Sequence, residues 1–385
     1  MTTTTKRDYM NIVHRRYFKA SKKEKSKIID EICSNLNIHR KSAIRLINAI
    51  PVDKHAKRNP RPYIYSKKVL WIAYELWKLT EYPCGTILKA SVPLWIKHLK
   101  NYYPIDTDTE TKLLSISAST IDRRLKHQKR RIKAKIYRTT KPGRIIRSQV
   151  PIRCSSASIT KPGSIELDTV AHCGNSSSGE FICTVNSVDI ATCWVSRRAV
   201  LGKGQYGVGK AIDEIRNELP FKLIDIDFDN GEEFLNWHLI RYCKLNSIGY
   251  TRSRPYKKDD QAHIEQKNST HVRRIFGRLR LDKPEVVELM NSLYRNELSI
   301  YHNFFKPSQR LVSKKVVGSK LKRKFDKTQT PCERVLASKD VEKAAKKKIK
   351  ALFESINPIE LKRTVDNKVK AIFTLQYKRQ KHAAA

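Results

Sequence analysis

Between Leu223 and Asp229 the chain alternates strictly, with Ile224, Ile226 and Phe228 interleaved by Asp225, Asp227 and Asp229. A period of two sets the apolar residues on one side of a β-strand and the carboxylates on the other. Asn230-Gly231 follows at once, a pair that turns a chain readily because both residues tolerate positive φ. Such a strand needs a core on one face and, on the other, surroundings that accept negative charge. Its last acid, Asp229, stands at the carboxyl end of the strand, where open α/β sheets place their ligands.

Two further elements supply acids. The segment from Ile165 to Val170 reads as a strand carrying Asp168, and a helical pattern opening at Asp259 or Asp260 carries Glu265. Sixty residues separate Asp168 from Asp229, and 35 separate Asp229 from Glu265. Three carboxylates brought together would repel one another unless a hard divalent cation joined them. Mg²⁺ or Mn²⁺ fits, and two ions would serve phosphoryl transfer, one activating the nucleophile and the other stabilising the leaving oxygen. Asp168, Asp229 and Glu265 are therefore the expected metal-binding catalytic acids, with Asp227, His172 and His263 as secondary candidates. Lys257, Lys258, Lys267, Asn268, Arg273 and Arg274 lie before and along the Glu265 helix and are candidates for contact with phosphates.

Charge narrows the substrate. With 79 basic and 37 acidic residues among 385, the formal charge is +42, which a polyanion must offset for a compact fold to be comfortable. Nucleic acid is the natural partner. In 21–50, Ser21 and Glu24 form a capping-box pattern, a break falls at 34–37, and a second helix turns Ile44, Leu46 and Ile47 inward and Arg40, Lys41 and Arg45 outward. The pattern recurs in 107–130, where the exposed residues of the second helix include Arg123, Arg124 and Lys126. Both suit a helix-turn-helix reading a major groove. An uninterrupted basic run then leads to a change of periodicity at Ser164.

The eight cysteines show no C-x-x-C pair, so no zinc module is expected. No apolar run reaches the length of a membrane span, and the expected setting is cytoplasmic, in company with nucleoid DNA. The expected division is 1–60 and 61–132 as helical DNA-binding domains, 133–163 as a basic linker, 164–305 as a catalytic core and 306–385 as a basic appendage with at least one helix. In the core, three antiparallel strands give way to alternating helices and strands, a mixed α/β layer fold in the order of the ribonuclease H fold. A G-x-G-x-x-G match at 202–207 follows the third antiparallel strand, and so cannot open a dinucleotide-binding βαβ unit.

Asp229-Asn230-Gly231-Glu232-Glu233-Phe234 resembles the D-N-G-x-E-F signature of the integrase core, and the 35-residue gap is that of the D,D-35-E enzymes. Thr251 to Asn268 is similar to the bacterial insertion-sequence transposase branch of the retroviral-integrase superfamily. The resemblance spans about 160–310 and is weaker over the helical N-terminal half. It implies a ribonuclease H-like core in which Asp168, Asp229 and Glu265 hold the metal. It also implies DNA cleavage and strand transfer at element ends, and a homo-oligomer assembled on terminal repeats and target DNA. The histidine/cysteine zinc domain of retroviral integrases is missing, a departure from that branch. A non-catalytic DNA-binding regulator of the same fold would be marked by a broken triad, and here all three positions are filled. A hydrolytic nuclease that never joins strands shares the same residues.

Overall fold

β1 (Ser164–Ala171) is the middle strand of five, flanked on one side by β2 (Ile182–Asp189) and β3 (Val195–Leu201) and on the other by β4 (Asp225–Phe228) and β5 (Gly249–Arg252). β2 runs antiparallel to both β1 and β3, while β4 and β5 run parallel to β1. The order β3-β2-β1-β4-β5 with these directions is that of the ribonuclease H fold. The computed structural model describes residues 2–49, 64–132, 159–228, 234, 237–252, 262–317 and 320–378. Asp229, Lys257, Lys258 and most of the basic linker lie outside them.

Alternation along β1 and β4 decides what covers each face. Ile165, Leu167, Ile226 and Phe228 turn to a buried cluster with helices α9 (Gln205–Glu218) and α10 (Trp237–Leu245). Val208, Ala211, Ile212 and Ile215 meet it at helical spacing. Ile224, expected on this face, is 47% exposed because β4 begins one residue later. Val170 and Ile182 belong to the second, larger core.

That second core accounts for most of the molecule. It joins α4 (Lys67–Leu79), α5 (Gly85–Leu99), α6 (Thr107–Ser115) and α7 (Ala118–Arg124) to α13 (Pro284–Arg295) and α14 (Glu297–Phe304). Between α10 and α13 the chain forms α11 (Ala262–Lys267), a π-helical turn at Asn268–Arg273 and α12 (Arg274–Phe276); α8 (Lys126–Ile132) extends α7. Trp95, on α5, donates to the Phe305 carbonyl (3.1 Å), and Tyr301, on α14, to the Leu79 carbonyl (2.7 Å). Segment 306–378 is no appendage. After the hairpin β6 (Leu311–Val317)–β7 (Lys320–Phe325), α15 (Pro331–Ala337), α16 (Lys343–Ser355) and α17 (Pro358–Tyr377) send Val335, Ile349, Ile359, Val365 and Ile372 into the same core. Each such side chain contributes about 1.5–3 kcal/mol when buried, so a few apolar residues at the right phase suffice to dock a lysine-rich helix. The chain accordingly divides into two units, 1–64 and 65–385.

The first unit comprises α1 (Thr3–Lys19), α2 (Lys22–Leu36) and α3 (Arg40–Ile47) around Val13, Ile28, Ile29, Ile32, Ala43 and Ile47. The capping box at Ser21 and Glu24 is formed. α2 ends at Leu36, within the expected break at 34–37, with Asn37 in the left-handed region (φ 49°), which asparagine tolerates at helix ends. Ile44 and Leu46 are each 39% exposed, whereas Ala43 and Ile47 are fully buried. The short α3 presents only one i, i+4 pair to its neighbours, and the phase chosen favours that pair. No helix among the described residues is long and apolar enough to cross a membrane.

Candidate active site

The face of the sheet opposite α9 and α10 is acidic. Glu166 and Asp168, two residues apart on β1, share it, and the parallel register sets Glu166 beside Asp227 of β4. Thr251 of β5 donates to Asp227 Oδ1 at 2.5 Å, and Ser164 to Asp225 Oδ2 at 2.5 Å. The described register ends at Leu167 opposite Phe228, one residue before Asp168 on β1. Phe234, the last residue of the D-N-G-x-E-F motif, is buried and stacks on Phe228 with centroids 5.7 Å apart and ring planes 12° from parallel.

Helix α11 approaches this face across β1 and β2. Its Ile264 amide, one of the donors that a helix N-terminus leaves unpaired, donates to Glu166 Oε2 at 2.9 Å. A fully buried carboxylate on a strand therefore caps a helix 98 residues away, favoured by the helix dipole as well as by the hydrogen bond. Glu265, the next residue, is exposed. Sequence reasoning missed Glu166; its signal was its place two residues before Asp168 on one strand face.

The π-helical turn begins at Asn268. Such turns recur at functional sites because the extra residue re-aims side chains. Asn268 donates to Asp168 Oδ2 at 2.5 Å, and its own Oδ1 accepts from Asn186, the β2 residue directly opposite Asp168, at 2.7 Å. Oδ1 of Asp168 accepts the Thr169 amide at 2.7 Å. Half-buried and held on both oxygens, the Asp168 carboxylate has a defined orientation. Arg273, at the other end of the turn, lies within electrostatic reach of Asp168. Burial, with Arg278 adding to it, lowers the Arg273 pKa, and Asp168 partly offsets this. Replacing Asn268 by alanine removes both side-chain bonds and leaves a buried Asn186 amide group without its acceptor. A stability loss of about 1–3 kcal/mol is expected in chemical denaturation.

The remaining candidates separate. Lys267 is buried, 5% exposed, among cationic neighbours; burial lowers its pKa to about 8. His172 is fully buried, paired with Thr184 (2.9 Å) and edge-on to Phe276, and burial takes its pKa down to about 3. It is a neutral core imidazole. His263 is half-buried and likewise lowered by burial, to about 4. Arg274 is exposed and donates to the Glu81 carbonyl at 2.5 Å. Arg123, Arg124 and Lys126 are exposed, as are Lys41, Arg45 and Arg40, the last paired with Asp30.

No family model matches the chain. It is 31% identical over 337 residues to the uncharacterized protein y4rM of Sinorhizobium fredii (strain NBRC 101917 / NGR234), an alignment covering 87% of this chain and 96% of that protein. The chain belongs to the y4rM family. Because y4rM is itself described as uncharacterized, membership brings no activity with it. Among solved structures, similarity is found to the catalytic core domain of BIV integrase (14% identical, covering 44% of this chain and 91% of that one, TM-score 0.29). The HTLV-2 integrase catalytic core domain in complex with magnesium is also similar (15% identical, 38% and 90% covered, TM-score 0.29). The fold of this y4rM-family chain rests on its strand order.

Proposed function

We propose that the chain is a metal-dependent polynucleotidyl transferase of the transposase type, which cuts a phosphodiester at the ends of a DNA element and joins the freed 3′-hydroxyl to target DNA. The observation that carries this reading is the acidic sheet face meeting α11: Asp168 oriented by Asn268, and the Glu265 helix capped by Glu166. Asp168, Asp229 and Glu265 would hold two Mg²⁺ or Mn²⁺ ions, an oxygen-only donor set that suits a hard cation. Such ions, when bound, supply Lewis-acid activation of the attacking oxygen and stabilise the leaving one.

The side chains around the acids act by position. Asn268 restrains the Asp168 carboxylate, Glu166 restrains the α11 backbone next to Glu265, and Arg273 supplies positive charge beside the carboxylates for a phosphate to approach. Arg40, Lys41, Arg45, Arg123, Arg124 and Lys126, exposed on helices, would bind the element's terminal repeats, as would Lys257 and Lys258, which precede the Glu265 helix in sequence. Two DNA ends require two copies of the chain, so a homo-oligomer on DNA in the bacterial cytoplasm follows.

The test is a joining assay with Mg²⁺ or Mn²⁺, using duplexes cut from the DNA that flanks the protein's own gene and a supercoiled plasmid as target. Joined products support the proposal. Nicking without joining points to a hydrolytic nuclease, and DNA binding without either reaction to a regulator.

A further inference from the structure

β6 and β7 form a two-stranded sheet of their own. They carry Lys314, Lys315, Lys320, Lys322, Arg323 and Lys324 and no acidic residue. The register sets Lys314 opposite Arg323 and Lys315 opposite Lys322. Like charges directly across an antiparallel pair destabilise it, and a two-stranded hairpin is marginal in water to begin with.

Its base, by contrast, is firmly held. Arg334 of α15, 6% exposed, donates to the Ser308 carbonyl (2.8 Å), the Gln329 carbonyl (3.0 Å) and Asp326 Oδ2 (3.2 Å), bracketing both strands. Asp326 Oδ1 in turn accepts the Arg310 amide at 2.6 Å. Arg310 reaches the Ile159 carbonyl at 3.1 Å, where the chain enters the sheet domain from the basic linker. Beyond this clamp Lys322, Arg323 and Lys324 are exposed. A polycationic ribbon held at its base is suited to meet a regular polyanion.

We propose that the β6–β7 ribbon is a duplex-DNA-binding element that lies along a major groove and neutralises its phosphates. The major groove, about 12 Å wide, admits a two-stranded ribbon, and strands of this length extend roughly 20 Å. The choice of duplex DNA rests on the strand-joining function proposed above; the charge pattern and the Arg334 clamp are independent of it.

The test uses the full chain with Lys322, Arg323 and Lys324 replaced together by serine, and a random-sequence 30-base-pair duplex titrated by fluorescence anisotropy at several KCl concentrations. The log–log salt dependence of the affinity is expected to become shallower by about two to three, since each phosphate contact contributes about 0.9, and affinity at 100 mM to fall about 100-fold. A companion variant, Lys322→Arg with Lys324→Arg, is expected to bind like the parent, which separates charge from folding. Serine at the exposed α16 residues Lys343, Lys347 and Lys348 is expected to change the slope by less than about one. An unchanged slope in the ribbon variant, an equal loss in the α16 variant, or an equal loss on single-stranded RNA would overturn the ribbon assignment while leaving strand joining intact. A parent that binds no duplex would overturn both.

Discussion

Asp168→Asn, Asp229→Asn and Glu265→Gln are each expected to lower strand joining by about 1,000-fold or more, a barrier increase of about 4 kcal/mol. Melting temperature and duplex affinity should stay near those of the parent. Asparagine at 168 keeps the shape of the side chain and an acceptor for Asn268, so the structural cost is small while the anionic charge is lost. Glu265 is exposed, and glutamine there leaves the Ile264–Glu166 cap in place. A joining rate within tenfold of the parent for any of the three would remove that residue from the catalytic assignment. A collapse of stability instead of activity would recast it as a folding residue.

The largest expected stability effect is at a position with no part in that chemistry. Glu81, 8% exposed, pairs with Lys306 and lies 3.9 Å from His302 Nε2, while Arg274 bonds its carbonyl. It links the end of α4 to the end of α14, helping to seat the N-terminal helices of this unit on the core. Burial opposes its charge, but Lys306 and His302 outweigh burial and hold its carboxyl well below the usual range. Burial lowers the pKa of Lys306, with Glu81 only partly offsetting it. Removing one partner of a buried pair typically costs about 3–5 kcal/mol because the other is left uncompensated. Glu81→Gln is expected to lose that much in urea denaturation, and Glu81→Gln with Lys306→Met less than the sum of the two single changes. Additive losses would show that the two side chains do not act as a pair.

Acid sensitivity follows from the same cluster. His302 and His271, their rings 4.1 Å apart, are kept neutral chiefly by burial. A base with a depressed folded pKa contributes stability above its unfolded value, about 6.5, and loses it as pH falls below that. Glu81, also depressed, contributes above about 4.3 and loses it below. Stability should therefore decline from about pH 6.5 downward and more steeply below about 4.5, and Glu81→Gln should flatten only the lower part.

Several of the residues proposed for the site stand out in the chain itself. The alternation of β4, the Asn-Gly pair and the 35-residue gap single out Asp229 and Glu265 without coordinates, because strand periodicity and turn chemistry are written within about ten residues. Asn268 was visible as a neighbour of Glu265, but not as the partner of Asp168. Glu166 reads locally as one more polar residue in a strand, and Glu81 as a loop residue after a helix. In 306–378 the count of lysines hid three docked helices, since docking depends on the phase of a few apolar residues and not on their number.

The sequence by itself thus determined the mixed α/β core and the alternation that gives its sheet an acidic face, and it named the acids proposed for catalysis, all from short-range pattern. The tertiary structure alone decided that Asn186 and Asn268 orient Asp168, that Glu166 caps the Glu265 helix, that Lys267 and His172 are buried, and that a clamped basic ribbon stands outside the sheet. These depend on which residues, a hundred positions apart, share one desolvated environment, where every donor must find its acceptor. Local periodicity carries no record of that pairing.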